Sequence, residues 1–473
     1  MIIPMVLKFG GTSVGDAQAF ENVARIVGDR IDLVPVVVVS AMSKVTDALL
    51  ASTNISANGQ PRKAIDSLDS IFQRHKQTAT ELLTIECAAK YSAVIDDAQA
   101  AVSTLLNRIA AEPSDFCALK DCVLAFGETL SSSLLAQLLI ERGISAKQVD
   151  ARRCVITDNE HGCAAPLMKE TFAAAQSLLL PLVEDCVVPV LGGFIGSTTT
   201  GETTTLGRGG SDYTAALIGA ALAAREIQIW TDVTGVLTAD PRVVPTAQTV
   251  ERLSYAEAAE LAYFGAKVLH PKTIQPAIED SIPVRICNSR APDEAGTLVG
   301  AQTETTPRTV KAIAHKTGVT TVQISSARML GAYGFLRALF EVFEKHRTVV
   351  DVVTTSEVSV SLSLDDAAGL PEIVADLEKL GAVRVETGRA IICVVGEGLR
   401  GTPGIAARVF STISDINVTL ISQGASSINF TFAIEEERVK EAVTRLHEAF
   451  FWEVQRTESE VQSPKFKVQS TKA

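Results

Sequence analysis

Val6-Leu7-Lys8-Phe9-Gly10-Gly11-Thr12-Ser13 is the stretch whose reading decides the fold. Val6 to Phe9 is a short apolar run of the kind that forms a buried strand, and Gly10-Gly11 breaks it. Phe20, Val23, Ala24, Ile26 and Val27 then recur at helical spacing within Ala17 to Asp29. Val34 to Val39 is a second apolar, β-branched run. Strand, glycine turn, helix and strand make a βαβ unit, which predicts a parallel sheet.

Outward from this unit the alternation continues. Ala48 to Ile109 is helix-like throughout, while Cys122 to Phe126, Val187 to Leu191 and Ile227 to Trp230 are predicted as further buried strands. The fold class expected is α/β, a mostly parallel sheet with helices on both faces. Gly196 to Thr205, rich in Thr and Gly, is predicted as a mobile loop. Residues 301–310 are polar and punctuated, a linker. Beyond it the chain repeats: Gly334-Phe335-Leu336-Arg337-Ala338-Leu339-Phe340 matches Gly404-Ile405-Ala406-Ala407-Arg408-Val409-Phe410, about 70 residues later, each leading to an alternating strand (Ser359 to Leu364 and Asn429 to Ile434). Two small βαββαβ units follow from that spacing.

The chain has 473 residues, enough for several domains. Its 43 basic and 55 acidic residues give a net charge of −12, and aromatics are 5%. A nucleic-acid partner is therefore not expected, since that class carries a basic footprint and stacking platforms. The longest uninterrupted apolar run, Leu33 to Val39, is too short to cross a bilayer, and Met1-Ile2-Ile3-Pro4-Met5 has no basic leader. The eight cysteines form no C-x-x-C pair and no His/Cys cluster has ligand spacing, so no protein-held metal is predicted. The expectation is a cytoplasmic chain with no membrane partner.

Chemistry concentrates where strands end. Lys8 beside Gly10-Gly11-Thr12-Ser13 offers backbone N–H groups and a cation to a phosphate, although the turn alone also suits a tight βα connection with a solvated lysine. Gly207-Arg208-Gly209-Gly210-Ser211-Asp212 precedes a helix: Arg208 can grip a carboxylate bidentately and Asp212 can accept from an ammonium, while helix capping by Ser211 or Asp212 is equally compatible. Glu128 follows one predicted strand and Ser40 another, positions at which open α/β sheets bind ligands, although taken alone Glu128 reads better as a helix first-turn glutamate favoured by the macrodipole and Ser40 carries the same ambiguity. Gly396-Glu397-Gly398-Leu399-Arg400-Gly401 matches G-x-G-x-x-G, but no acidic residue closes the next strand, so no dinucleotide site is expected.

Together these stretches resemble the aspartate kinase family. Lys8 to Val14, Gly207 to Asp212, Trp230 to Val233, Thr238 to Arg242 and Phe264 to Pro271 occur in family order, and the resemblance runs from Val6 to about Val454. It implies an amino-acid-kinase (carbamate-kinase-like) domain over 1–300, ACT units over 311–384 and 385–457, and a tail over 458–473. The implied reaction moves a phosphoryl group from MgATP to the β-carboxylate of L-aspartate, giving 4-phospho-L-aspartate and ADP. That is the first step toward lysine, threonine and methionine. By this resemblance Lys8 contacts the γ-phosphoryl group with Gly10, Gly11 and Ser13 around the phosphates, and Thr231, Asp232, Arg242, Lys267 and Val268 hold the nucleotide. Arg208 grips the α-carboxylate, Glu128 and Asp212 hold the α-ammonium, and Ser40, Thr46, Gly209, Gly210 and Ser211 complete the substrate pocket. Mg²⁺ is held by phosphates and water.

An effector amino acid, lysine, is implied at Met329, Gly334, Phe335, Leu336, Asp351 and Glu357, with Thr354 to Val360 as its binding strand, in a homodimer or homotetramer. Two departures stand out: Leu237 replaces a common tyrosine that touches the nucleotide, and Val349 removes a hydroxyl from the effector pocket. A kinase for glutamate or N-acetylglutamate, and a catalytically dead amino-acid sensor, are the alternatives. Arg208, Glu128 and Asp212 favour a free α-amino acid over an acetylated one, and an intact Lys8 argues against the sensor.

Overall fold

The computed structural model describes residues 3–265, 271–301, 309–331, 333–424 and 426–452. They divide into two compact units, one made of 3–236, 251–255 and 271–301, the other of 237–250, 256–265 and 309–452. Two stretches inside the expected 1–300 domain, 237–250 and 256–265, thus cluster with the C-terminal unit.

The strands of the first unit are β1 (Met5–Phe9), β2 (Pro35–Val39), β3 (Ala146–Val149), β4 (Ile156–Thr157), β5 (Val188–Gly192), β6 (Ile195–Thr198), β7 (Thr203–Thr205), β8 (Ile227–Thr231), β9 (Arg252–Ser254), β10 (Val284–Asn288) and β11 (Thr297–Gly300). Eight of them form one sheet in the order β3-β5-β2-β1-β8-β10-β11-β9, parallel except where β10 meets β11. Every residue of β1 and β2 is buried, as uninterrupted β-branched runs in a covered parallel sheet require. The helix Ala17–Gly28 joins β1 to β2 as the βαβ pattern predicts, its N-terminus capped by the Asp16 side chain on Ala19 N. Because β2 and β8 flank β1 on opposite sides, the strand order reverses at β1, and a crevice opens beyond its carboxyl end.

Two predicted elements are corrected. Cys122 to Phe126 is not a strand but part of a helix, Phe116–Glu141, that packs against β3 and β5. Five apolar residues cannot distinguish a buried strand from a buried helix, and this helix is apolar nearly all round, so no 3.6-residue stripe betrays it. By length and composition it could cross a membrane, yet its most apolar stretch is mostly buried inside the protein. The Thr- and Gly-rich stretch is not a loose loop either: β6 and β7 form a hairpin, completed by β4 into a three-stranded sheet, with every residue of β6 and β7 buried. Its threonines are β-branched and suited to strands.

The second unit carries β12 (Ala312–Ser325), β13 (Val353–Thr355), β14 (Ser359–Leu364), β15 (Ala382–Val395), β16 (Leu420–Ser422) and β17 (Asn429–Glu435) in one antiparallel sheet, ordered β13-β14-β12-β15-β17-β16. The repeat is present as two cores rather than two consecutive blocks. Val322, Ile324, Val360 and Leu362 pack with Leu339 and Phe343 of the helix Phe335–Lys345. Val310 and Ile313 instead join Ile392, Val394, Phe430 and Phe432 in the other core, together with Ala239 and Val244. β12 and β15 are each 14 residues long and serve both cores, with the β12 register slipping between Lys316 and Thr321. The stretch expected as a single effector strand is split: β13 ends at Thr355, and Ser356 N donates to Ser359 O at 2.8 Å across the turn into β14.

Gly334 and Gly404, which open the two repeat copies, both sit at helix N-caps with left-handed φ of +83° and +86°. That shared need explains the repeated glycine. No atom lies within 4 Å of a Cβ built on Gly404. Gly404→Ala is therefore expected to destabilise the chain by about 1–2 kcal/mol through backbone strain alone, read as a lower melting temperature at unchanged far-UV circular dichroism.

Candidate active site

A cleft of about 880 Å³ opens at the carboxyl ends of the central strands. β1 delivers Lys8, Gly10 and Gly11, β2 leads into Ser40, Ala41 and Met42, and β8 supplies Thr231 and Asp232. Its far wall comes from Thr46, Glu128 and the run Gly207 to Asp212. Close backbone approach makes the glycines necessary. A Cβ on Gly11 would come within 2.9 Å of Ala41 O, and one on Gly193, just past β5, within 2.7 Å of Ser211 Cα. Gly10 N donates to Trp230 O at 3.0 Å, and beneath that turn Phe9 and Trp230 stack with centroids 6.0 Å apart.

Lys8 Nζ lies 2.6 Å from Asp212 Oδ1, with side-chain exposures of 11% and 18%. Asp212 occupies the first turn of the helix Gly210–Ala221, where the macrodipole favours a carboxylate. Arg208 is exposed between Gly207 and Gly209, both left-handed at φ +73° and +74°, and has no ion-pair partner among the described residues. Such a loop leaves a guanidinium free for an incoming carboxylate.

Glu128 is only 3% exposed, and its Oε2 is buried without a hydrogen-bond partner. Burial pushes its carboxyl up from 4.5 to about 8, against some relief from backbone hydrogen bonding at Ala41 and at Glu128 itself. Nearby, Ser131 Oγ donates to Ser40 O at 2.7 Å and ties the helix Phe116–Glu141 to the end of β2.

Of the residues singled out from sequence, Lys8, Gly10, Gly11, Ser40, Thr46, Glu128, Arg208, Gly209, Gly210, Ser211, Asp212, Thr231 and Asp232 share this cleft. Ser13 does not line it. Its hydroxyl is buried 2.8 Å from Ser289 Oγ and 3.3 Å from Trp230 O, bracing the turn from behind. Arg242 is also absent from the lining: it belongs to the second unit and is paired with Asp240 at 2.6 Å. Lys267 and Val268 lie outside the described residues. Lys44, Lys120, Gly162, Phe194 and Thr205 line the cleft without having been singled out. Lys120, Leu124 and Glu128 are spaced at i, i+4 and i+8, a signal visible only once their segment is read as a helix. Among the described residues, no group of His, Cys, Asp or Glu could hold a metal ion.

In the second unit, Met329 falls in a short turn, Phe335 and Leu336 start the helix that Gly334 caps, and Glu357 is exposed between β13 and β14. Asp351 has a side chain only 2% exposed, beside Lys316 at 3.9 Å, and Lys316 also pairs with Asp365. Burial and the neighbouring Asp365 raise the Asp351 carboxyl to about 8. A cavity of about 320 Å³ in this unit is lined by none of these six residues.

The architecture and cleft define an amino acid kinase with an appended regulatory sheet, and residues 4–288 match the amino acid kinase family while 392–450 match the ACT domain. Aspartokinase 1, chloroplastic, of Arabidopsis thaliana is 38% identical, covering 95% of this chain and 80% of its own. Lysine-sensitive aspartokinase 3 of Escherichia coli (strain K12) is also 38% identical, over 94% of this chain and 99% of its own. The E. coli aspartokinase III structure with aspartate and ADP (R-state) is similar at a TM-score of 0.79 and 36% identity, covering 95% of this chain and 100% of the other. Its form with lysine and aspartate (T-state) matches at 0.79 and 37%, covering 95% and 99%. The chain belongs to the aspartokinase family.

Glu128 carries a stability prediction. Its folded-state affinity for a proton exceeds that of the unfolded chain, so its contribution is complete below about pH 4.5 and is lost as pH rises through about 8. Between pH 5 and 9 the wild-type melting temperature should fall more steeply than that of Glu128→Gln. Parallel curves would mean the carboxyl is solvated.

Proposed function

We propose that this aspartokinase transfers the γ-phosphoryl group of ATP to the β-carboxylate of L-aspartate, releasing 4-phospho-L-aspartate and ADP. The observation that carries the reading is the cleft itself, whose lining holds both the largely buried Lys8–Asp212 pair and the exposed cation Arg208. The E. coli relative solved with aspartate and ADP supports it.

The acceptor needs no base, since a carboxylate is ionised at neutral pH. What remains is to bring two anions together and to stabilise the charge spreading over the transferring group. In this reading Lys8 takes the γ-phosphoryl oxygens, with the Gly10-Gly11 amides on the phosphates and Ser13 holding that turn. Arg208 grips the α-carboxylate. Asp212 and an ionised Glu128 accept from the α-ammonium, and Ser40, Thr46, Gly209, Gly210 and Ser211 shape the pocket. Thr231 and Asp232 face the nucleotide, joined by Arg242, Lys267 and Val268. Asp212 is already engaged by Lys8 and no acidic cluster is present among the described residues, so the donor set does not suit a resident metal. Magnesium enters with the nucleotide as MgATP.

Catalysis occupies 1–300 in this reading, with regulation through the ACT units 311–384 and 385–457 and a tail over 458–473. Lysine is the effector, taken by Met329, Gly334, Phe335, Leu336, Asp351 and Glu357 in a cytoplasmic homodimer or homotetramer. The lysine-bound state of the E. coli relative supports this assignment.

Trapping the acyl phosphate with hydroxylamine tests the whole. Aspartyl hydroxamate should form with MgATP and aspartate, not with glutamate, and should decline on adding lysine. Lys8→Ala should lower kcat by about 10²-fold or more, because it removes charge stabilisation realised in the transition state. A kcat near wild type would reduce Lys8 to a turn residue.

A second test uses pH. As pH rises from about 7 to 9, Glu128 ionises and gains affinity for an ammonium. The KM for aspartate should therefore fall over that interval in the wild type and stay flat in Glu128→Gln.

A further inference from the structure

The helix Phe116–Glu141 turns Lys120, Leu124 and Glu128 toward the cleft. The neighbour of Lys120, Asp121, is 0% exposed and lies outside the cleft lining. Its Oδ2 accepts from Gly162 N at 2.8 Å and Thr205 N at 3.1 Å, and its Oδ1 accepts from Thr205 Oγ1 at 2.7 Å. His161 Nδ1 lies 3.2 Å from Oδ2. Gly162 and Thr205 both face the cleft, and Ala164 N donates to Thr205 O at 2.9 Å, so one carboxylate and one backbone bond lock the 158–165 loop to the end of β7.

A helix gains nothing from a carboxylate buried on its inner face, where desolvation is costly unless every lone pair is engaged. Here they are engaged by two segments other than the helix itself. The second of these runs straight on through Leu206 and Gly207 to Arg208. Arg208 lies between two left-handed glycines and has no ion pair among the described residues, so its place is set by the backbone on either side: by the end of β7, with Leu206 N donating to Phe194 O at 2.9 Å, and by the start of the helix Gly210–Ala221, with Gly210 N donating to Gly207 O at 3.0 Å.

We infer that Asp121 is a positioning residue for the aspartate side of the reaction, clamping the 158–165 loop and β7 so that Arg208 is presented to the substrate α-carboxylate. This rests on the reading that Arg208 grips aspartate. The carboxylate touches no substrate and acts only through these hydrogen bonds. An asparagine can reproduce them: its carbonyl accepts from both N–H groups, and its amide donates to Thr205 Oγ1 once that hydroxyl rotates.

The test is steady-state kinetics of the full-length protein by hydroxamate trapping, with Asp121→Ala, Asp121→Asn, Thr205→Val and Arg208→Ala. Asp121→Ala is expected to raise the KM for aspartate about 10-fold, with kcat within about 3-fold and the KM for ATP unchanged. Asp121→Asn should restore the aspartate KM to within about 3-fold of wild type, and Thr205→Val should raise it about 3-fold. Equal increases in both KM values, or a loss of kcat alone, would overturn the inference as a general structural defect. Where Asp121→Ala does not fold, an unchanged aspartate KM in Thr205→Val overturns it. An unchanged aspartate KM in Arg208→Ala defeats the underlying reading of Arg208. A rise there, with none in Asp121→Ala and Thr205→Val, defeats only the clamp.

Discussion

The contact around which the cleft is organised is the ion pair between Lys8 and Asp212. Their charged atoms lie 2.6 Å apart, mostly out of water. A pair of this kind is weak evidence for stability, because desolvating both charges offsets much of their attraction. Its position is informative instead. Lys8 is held by β1, hydrogen-bonded on both sides to β2 and β8, and Asp212 by the first turn of a helix whose N-cap glycine is left-handed. Neither backbone can shift without breaking a parallel ladder or a helix start. The two charges are thus fixed on elements rather than on loops, as a site that works by positioning must have them.

The strands of that arrangement were largely legible in the sequence because their determinants are local, whereas the Lys8–Asp212 pair, joined only by tertiary structure and with Asp212 read as preceding its helix, was not. The β1 and β2 runs are buried on both faces, so their continuous apolar character identifies them, and the glycines mark where backbones approach closely. Helix Phe116–Glu141 was not legible. Its apolar residues surround it, and Cys122 to Phe126 reads equally well as a strand when isolated. With the helix misplaced, the Lys120-Leu124-Glu128 face and the clamp at Asp121 could not be seen. The latter's partners, Gly162 and Thr205, are brought to it only by tertiary structure.

Ser13 and Arg242 show what a motif leaves open. Both lie in motifs that mark the family, yet Ser13 spends its hydroxyl on Ser289 and the Trp230 carbonyl, and Arg242 closes a local turn onto Asp240. A motif reports that a residue type is required without saying whether it is required for a ligand or for the turn. The repeat in the C-terminal half was similarly half legible. Its glycine caps and alternating strands announce two copies, but the sharing of β12 and β15 between both cores depends on register across a sheet, which periodicity does not encode.

The chain's division into units places two segments of the catalytic half of the sequence within the C-terminal unit. The segment 237–250 belongs to the core of the C-terminal unit, where Ala239 and Val244 pack with Val310, Ile313 and Phe451. Thr238 is fixed there four ways: its hydroxyl lies 2.8 Å from His447 Nε2 and accepts from Gln248 N, its own N donates to Gln248 O, and its carbonyl accepts from Ile313 N. Burial holds His447 below the ordinary imidazole range. Lys311 and Glu257 form a second buried pair at 2.8 Å within the same unit. A close-packed core transmits displacement rather than absorbing it. The segment carrying Arg242 is therefore held by the core of the C-terminal unit. It is already a component of the regulatory core, and any repacking of that core acts on it directly.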